Sequence, residues 1–286
     1  MLILTRRITG RMYSTIRGLL FVGGMVIAAS MALAPGAMAQ KMRGGGNKSS
    51  TESPIDPKQP AGRSMIRQII QDQCVLDWQE HQKPAPCERV FLADPKNASS
   101  GYAVLAAPGG GAHYLLIPTR TMAGIESSEL LDPDAPNYFA EAWHARGLLG
   151  SFVGHDVPRS MVGLATGIAV SRAQDQFHVN IECLQQDVYK ALRASADNFV
   201  DAWSPITILG STFQARRISS DGLDASNLFE LLATLSPDAR HHMGNYTLVV
   251  AGMQFRSGPG FVVLTGTGPS GEILLDSTCA VAGGGG

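Results

Sequence analysis

Residues 174–183, QDQFHVNIEC, alternate between polar and apolar side chains, and this alternation predicts a β-strand. Successive side chains of a strand point to opposite faces of its sheet. One face would carry Phe177, Val179, Ile181 and Cys183. The other would carry Gln176, His178 and Asn180, a row of amide and imidazole groups next to apolar neighbours. We expect the apolar face to anchor the strand in a core and the polar face to be the candidate site.

The segments on either side of this strand predict short strands and helices. A hairpin joins strands at 102–106 and 114–117 through a turn at 108–111, and further strands are predicted at 162–170, 206–218, 246–251, 260–264 and 273–275. Helices are predicted at 64–74, 134–146, 185–203 and 228–232, where apolar residues recur at helical spacing. Links of hairpin length favour a mostly antiparallel α+β fold.

The two ends of the chain differ in composition from the middle. Four arginines precede an apolar run at 18–34, and Ala37-Met38-Ala39 follows it, so residues 1–39 predict a signal peptide or an N-terminal membrane anchor. Residues 40–62 are rich in glycine, serine and proline and predict a flexible linker. We expect the folded domain at 63–280, a disordered tail at 281–286, and export of the domain from the cytoplasm, either anchored to the membrane or released if the signal is cleaved.

Charge and cysteine content narrow the class of protein. The chain has 23 basic and 24 acidic residues, and four of the basic ones lie in the first 39, so the remainder is acidic, which argues against nucleic-acid binding. Four cysteines in an exported chain predict two disulfides. Cys74 and Cys87 flank a short loop, which favours a bridge between them and a second one between Cys183 and Cys279, although the sequence permits three pairings. The sequence lacks a close Cys-x-x-Cys pair, so the cysteines do not indicate a metal site.

His178 is the residue of this strand with the most distinctive chemistry. A neutral imidazole can attack phosphorus and leaves a phosphoramidate that water can cleave. The flanking amides of Gln176 and Asn180 are expected to donate hydrogen bonds to phosphate oxygens as charge develops there. A single histidine in a strand is more often structural, so the pattern by itself is a weak signal. Among the other histidines, His113 fits a strand end at the surface, and Glu182 fits a solvated strand edge.

Several separated segments resemble the CDP-diacylglycerol pyrophosphatases of the histidine-triad superfamily. They include Cys74 with Cys87, Gly101-Tyr102, the run from Tyr114 to Thr119, Gly124-Ile-Glu-Ser127, the segment from Leu131 through Asn137-Tyr-Phe139 and Trp143 to Arg146, Ser171-Arg172, the strand at 174–183, His242-Met-Gly-x-Tyr246 and Cys279. The resemblance spans nearly all of residues 65–280 and implies a histidine-triad-like α+β fold. It also implies hydrolysis of CDP-diacylglycerol at a membrane surface, with no cofactor.

The resemblance assigns roles to particular residues. His178 occupies the middle position of the superfamily's His-x-His-x-His strand and would attack the CMP phosphorus, giving a cytidylyl-histidine, phosphatidate and finally CMP. Gln176 replaces the first histidine and Asn180 the third, where histidine is usual. Arg172, Gln174 and Arg120 are the predicted phosphate-binding residues. Asn180 can donate only a neutral hydrogen bond to a leaving phosphate, so this position departs from the pattern.

Two other functions remain open at this stage. A cytidylyltransferase would pass CMP from His178 to another acceptor, and a binding homologue would keep the pocket but lose turnover because of Asn180. The oligomeric state, the acyl preference and the base-recognition residues do not follow from the sequence.

Overall fold

The computed structural model describes residues 62–283. The strands are β1 (Arg89–Leu92), β2 (Gly101–Ala106), β3 (Tyr114–Pro118), β4 (Val162–Ala165), β5 (Val179–Leu184), β6 (Ser204–Ile208), β7 (Ser211–Ser219), β8 (Thr247–Phe255), β9 (Gly258–Gly266) and β10 (Leu275–Asp276). The α-helices are α1 (Met65–Ile69), α2 (Leu76–His81), α3 (Tyr138–Ala145), α4 (Leu149–Val153), α5 (Gln186–Ala194), α6 (Gly222–Ala225), α7 (Leu228–Ala233) and α8 (Pro237–His241). A π-helical turn at Ile70–Val75 makes α1 and α2 one continuous helical segment.

Some predictions from the chain ends lie outside these residues. The signal or anchor at 1–39, almost all of the linker at 40–62, and half of the tail at 281–286 are in this group. Between residues 62 and 283, no helix combines the length and the apolar character that crossing a bilayer requires.

The strands form one antiparallel sheet, as the hairpin-length links predicted. The order is β1-β2-β3-β5-β4-β8-β9-β7-β6, and β10 pairs with the end of β5. Strand β5 therefore lies inside the sheet, between β3 and β4, with Leu115 and Ala165 on either side of Asn180. An α+β fold with helices flanking a mostly antiparallel sheet is confirmed.

The two faces of β5 differ in what covers them. Val179, Ile181 and Cys183 are fully buried in a core with α3 and α7. On the opposite face, Leu115 belongs to an apolar cluster under the N-terminal helical segment, and Ala165 belongs to a second cluster under α5. Paired residues of adjacent strands share a face. Asn180 and the polar residues in line with it therefore separate two apolar clusters.

The structure corrects the bounds of several predicted elements. Regular pairing of β5 begins at Val179 rather than Gln174, because the register with β3 brings Pro118, which has no N–H, opposite the preceding residues. The helix predicted at 185–203 ends at Ala194, because Ser195, Asp197 and Asn198, which follow, have low helix propensity. The strand predicted at 162–170 ends at Ala165.

The segment predicted as a strand at 206–218 is a two-stranded hairpin. Strands β6 and β7 are joined at Leu209 and Gly210, whose φ angles are 49° and 77°. Two consecutive positive φ angles are typical of the tight turn that matches strand twist, and glycine supplies one of them without steric cost.

The cysteines pair as their spacing favoured. Cys74 is bonded to Cys87, with their Cα atoms 5.6 Å apart, and Cys183 to Cys279, at 5.0 Å. The first disulfide fastens the N-terminal helical segment to the start of β1. The second fastens the end of β5 to the segment that follows β10. That segment is close in sequence to one wall of the site described next.

Candidate active site

His178 immediately precedes β5, and its side chain is 15% exposed. Its Nδ1 lies 2.8 Å from the carbonyl oxygen of Gln176. Because a carbonyl oxygen only accepts hydrogen bonds, Nδ1 carries a proton, and in the neutral imidazole the lone pair is then on Nε2. The local backbone thus holds the imidazole in the tautomer that a nucleophile requires.

A small surface pocket surrounds this imidazole. Its walls are residues 123–125, Thr166, Gly167, Arg172, Gln174, Gln176, Phe177, His178 and Glu272. The loop after β3, the end of β4, the segment before β5 and the turn before β10 each contribute. Of the predicted site residues, the pocket brings together His178, Gln176, Arg172 and Gln174.

Gln176 is 1% exposed, and its amide is used differently from the prediction. Its Nε2 donates to the carbonyl oxygens of Pro118 (3.1 Å) and Arg120 (2.9 Å). Its Oε1 has no hydrogen-bond partner among the residues that the structure describes. Both N–H groups are committed to the backbone, so in this arrangement Gln176 does not donate to a phosphate oxygen. It fixes the chain that carries His178 against the end of β3.

Asn180 is 3% exposed and is held on both sides of its amide. Its Oδ1 accepts from Nε2 of His113 at 2.8 Å. Its Nδ2 donates to the carbonyl oxygen of Ala165 (3.2 Å) and to Oε1 of Glu272 (3.0 Å). The two acceptors around Nδ2 define the orientation of the amide, and His113 must then carry its proton on Nε2. The contact expected between Asn180 and phosphate is replaced by one with a carboxylate.

His113 and Glu182 extend this network into the protein, so neither is the surface group that the sequence favoured. Burial lowers the pKa of His113, and burial, together with the carboxylates of Glu272 and Asp276, raises the pKa of Glu182 to about 8. Their side chains are 3.3 Å apart. Both shifts favour the uncharged forms near neutral pH, so this close contact is not an ion pair there.

Arg172 brings a positive charge to the pocket and is 19% exposed. Its Nη1 contacts Glu126, and its Nε lies 3.3 Å from Asp175. A Cβ atom at Gly124 would lie 2.6 Å from both Nη1 of Arg172 and Oε2 of Glu126, so a larger residue there would displace the ends of these two side chains. The Nη2 group of Arg172 makes no hydrogen bond with residues 62–283. Arg172 is thus fixed by carboxylates but keeps one edge of its guanidinium for a ligand.

The N-terminal end of the domain supports the same loop. Arg63 forms two hydrogen bonds of 2.7 Å with Asp175, and these lower the pKa of the Asp175 carboxyl to about 2. Gln174 accepts from the backbone N–H of Ile66 and donates to the carbonyl oxygen of Gly62, both at 3.2 Å. The amide of Gln174 is therefore committed to the first helical turn, although its side chain lines the pocket.

Arg120 lies apart from this group. It lines a separate, larger depression of about 490 Å³ together with Asp132, whose carboxylate is 3.8 Å from its guanidinium. The two regions are linked by the carbonyl oxygen of Arg120, which accepts from the side chain of Gln176, and by the packing of Tyr138 against Phe177. The phosphate-binding role expected for Arg120 has no geometric support in the pocket of His178.

Glu272 is the pocket residue that sequence reasoning missed. Its Oε1 lies 4.0 Å from Nε2 of His178, and it belongs to a short helical turn, Gly271–Leu274, 92 residues after Asn180. No periodicity or motif links the two segments, so only the fold brings the carboxylate to the imidazole. Between residues 62 and 283, no group of three or more His, Cys, Asp or Glu side chains is arranged to hold a metal ion.

Comparison with known proteins identifies relatives of the whole described region. The family model for CDP-diacylglycerol pyrophosphatase matches residues 61–283. A CDP-diacylglycerol pyrophosphatase of Yersinia pestis is 36% identical over 221 residues, which cover 74% of this chain and 83% of the relative.

Proposed function

The chain belongs to the CDP-diacylglycerol pyrophosphatase family, and from that premise we propose that it hydrolyses the pyrophosphate bond of CDP-diacylglycerol through a covalent cytidylyl group on His178. The protein is a hydrolase of this family. The observation that supports the mechanism is the hydrogen bond from Nδ1 of His178 to the carbonyl of Gln176, which selects the neutral tautomer whose Nε2 lone pair is at the pocket.

In the first step, the Nε2 lone pair attacks the phosphorus atom that carries the cytidine. A bond forms between nitrogen and phosphorus, the bond to the bridging oxygen breaks, and phosphatidate leaves with the electron pair. The imidazole becomes cationic, and its Nδ1–H donates more strongly to the Gln176 carbonyl. Arg172 supplies a positive charge beside the diphosphate, at the edge of its guanidinium that the protein does not use.

In the second step, water attacks the same phosphorus and returns the electron pair to Nε2. CMP leaves, and His178 regains its starting tautomer. Gln176 and Asn180 take part by position rather than by direct donation, because their amide N–H groups are already bonded to the protein. This mechanism requires neither a metal ion nor an organic cofactor.

The proposed substrate is a membrane lipid, and we place the enzyme at the periplasmic face of the inner membrane, or in the periplasm if the N-terminal signal is cleaved. The arginines and apolar run at residues 6–34 support export, and the two disulfides fit an oxidising compartment. The placement within phospholipid metabolism follows from the proposed substrate and products.

The experiment that tests this function measures release of CMP and phosphatidate from CDP-diacylglycerol in detergent micelles by the purified protein, with chelator present. We expect both products in equal amounts. Adding inorganic phosphate or glycerol distinguishes hydrolysis from transfer, since a cytidylyltransferase would form a new cytidylyl product. Binding of the substrate without any turnover would contradict the proposal and identify a binding homologue.

A further inference from the structure

Glu272 is the acidic residue within residues 62–283 whose carboxylate lies 4.0 Å from the reactive Nε2 atom of His178. Its side chain is 41% exposed, whereas that of His178 is 15% exposed. The carboxylate is therefore open to solvent beside the imidazole, where a water molecule can reach both.

Both oxygens of Glu272 are held in place. Oε1 accepts from Nδ2 of Asn180 at 3.0 Å, and Oε2 accepts from the hydroxyl of Ser270 at 3.1 Å. The backbone next to it is fixed too, because the N–H of Gly271 donates to the hydroxyl of the buried Thr247 at 2.8 Å. A long acidic side chain on an exposed turn would otherwise be mobile, so these contacts define its position relative to His178.

Asn180 connects this carboxylate to the interior. His113 donates to its Oδ1 and so holds the amide with Nδ2 directed at Ala165 and Glu272. A histidine at this position would bring its own proton-transferring group. Asparagine cannot transfer a proton, but it orients a carboxylate that can.

The two chemical steps differ in their need for a base. Nε2 of His178 has no proton to lose when it attacks phosphorus, because the proton is on Nδ1. Water does have a proton to lose when it attacks the cytidylyl-histidine. A carboxylate beside the reacting phosphorus would therefore assist the second step and not the first.

We propose that Glu272 is the general base for hydrolysis of the cytidylyl-histidine, an inference that rests on the function proposed above. Glu272 accepts a proton from water as the water oxygen bonds to phosphorus. The bond between phosphorus and Nε2 breaks, and its electron pair returns to the imidazole. CMP leaves as a monoanion, and the exposed carboxyl group then releases its proton to solvent.

The test is a rapid-quench experiment with CDP-diacylglycerol on the full chain and on its Glu272→Gln variant, following phosphatidate release, CMP release and protein-bound cytidylyl group separately. In the variant, we expect a burst of one phosphatidate per enzyme at nearly the normal rate. CMP release should slow by about 10²–10⁴-fold, so that the cytidylyl group accumulates on the protein. Equal slowing of both steps, or normal CMP release, would overturn the inference.

Two further variants separate a catalytic base from a structural contact. Ser270→Ala removes one contact of Glu272 and keeps the carboxylate, so we expect slower CMP release with the burst retained, but a smaller effect than in Glu272→Gln. Glu272→Ala should regain part of its CMP release in formate, a small carboxylate that fits the vacated space, and lack of recovery would count against the proposal. Glu80→Gln, on an exposed face of α2, is the matched control and should leave both steps unchanged.

The failure of this inference is distinguishable from failure of the function itself. If phosphatidate is released in a burst and the cytidylyl group appears on His178, the proposed mechanism stands whatever Glu272 does. If neither protein shows a burst or an adduct while His178→Ala retains activity, the mechanism at His178 is wrong.

Discussion

Two sets of polar residues in and beside the sheet are largely buried, but one set has fixed hydrogen bonds to the backbone and the other contains groups that can exchange protons. The threonine cluster, which consists of Thr166, Thr247 and Thr265, is at most 1% exposed. Each hydroxyl is bonded to the backbone: that of Thr247 links the carbonyl oxygen of Thr166 to the N–H of Gly271, and that of Thr265 donates to the carbonyl oxygen of Thr247. No member can change its charge near neutral pH.

The polar row, which consists of Gln176 and His178 just before β5 and Asn180 and Glu182 within it, is also largely enclosed by protein, but it contains groups that can exchange protons or bind a ligand. His178 keeps a lone pair at a pocket, Glu182 has a pKa of about 8, and the oxygen of Gln176 has no partner in residues 62–283. Burial therefore does not separate structural from functional polar groups. The distinction lies in whether their partners are fixed backbone atoms or groups that exchange protons.

The largest expected effect is the loss of activity on replacing the row's nucleophile. His178→Ala should lower the rate of CMP release by at least ~10³-fold, because the cytidylyl-histidine can then no longer form. The free energy of unfolding should change little, since the imidazole makes one hydrogen bond to a backbone carbonyl. The measurement is turnover with CDP-diacylglycerol beside a thermal unfolding curve.

His155→Ala is the control for that substitution. His155 is an exposed loop histidine whose recorded hydrogen bond is to the adjacent Asp156 carbonyl. We expect unchanged activity and unchanged stability. Full activity of His178→Ala would place His178 with the structural residues and remove the contrast between the two sets.

The next effect is a change in how stability depends on pH. The Glu182 carboxyl has an ordinary pKa of 4.5 and a pKa of about 8 in the folded protein. Between these values the folded state retains a proton that the unfolded state releases, so stability falls as pH rises from about 4.5 to about 8. Glu182→Gln removes this cost and should raise the free energy of unfolding at pH 8.5 by on the order of 5 kcal/mol.

At pH 4.5 the same substitution should have little effect, because the carboxyl is then largely protonated in the folded state. Denaturant unfolding at the two pH values measures the difference. An equal change at both values would show that Glu182 acts through packing alone and does not titrate in this range.

The smallest effect comes from the threonine cluster. Thr247→Val keeps the shape of the side chain but leaves the Thr166 carbonyl and the Gly271 N–H without their hydroxyl partner. We expect a loss of about 1–3 kcal/mol in the free energy of unfolding. Thr207→Val, on the exposed edge strand β6, should cost almost nothing and serves as the control. A stability equal to that of the wild type would mean that these buried polar groups find other partners.

The strand at the centre of the site was predictable because one face of it had to be apolar. The alternation from Phe177 to Cys183 defined which side chains meet the core, and the fold class followed from the short links. The polar groups were less predictable, since their roles depend on contacts distant in sequence. Gln176 reaches Pro118, Asn180 reaches His113 and Glu272, and none of these partners has a local pattern that indicates the contact.

The sequence did not predict where β5 begins and where α5 ends, because these bounds depend on where the backbone loses its regular hydrogen-bond partners. Pro118 stops the pairing of the residues before Val179, and the polar residues after Ala194 stop α5, although the apolar Phe199 still joins the same core as Val188. The three residues predicted to bind phosphate lie in different surroundings. Arg172 lines the pocket, Gln174 is bonded to the first helical turn, and Arg120 faces another depression.

The most direct measurement of the central claim is identification of the covalent intermediate. The protein is mixed with CDP-diacylglycerol, quenched in base within the first turnover, digested and analysed by mass spectrometry. We predict a cytidylyl group on the peptide that contains His178, formed and lost at rates that account for CMP release, and absent from His178→Ala. Release of CMP without any adduct, or an adduct on another residue, would contradict the account.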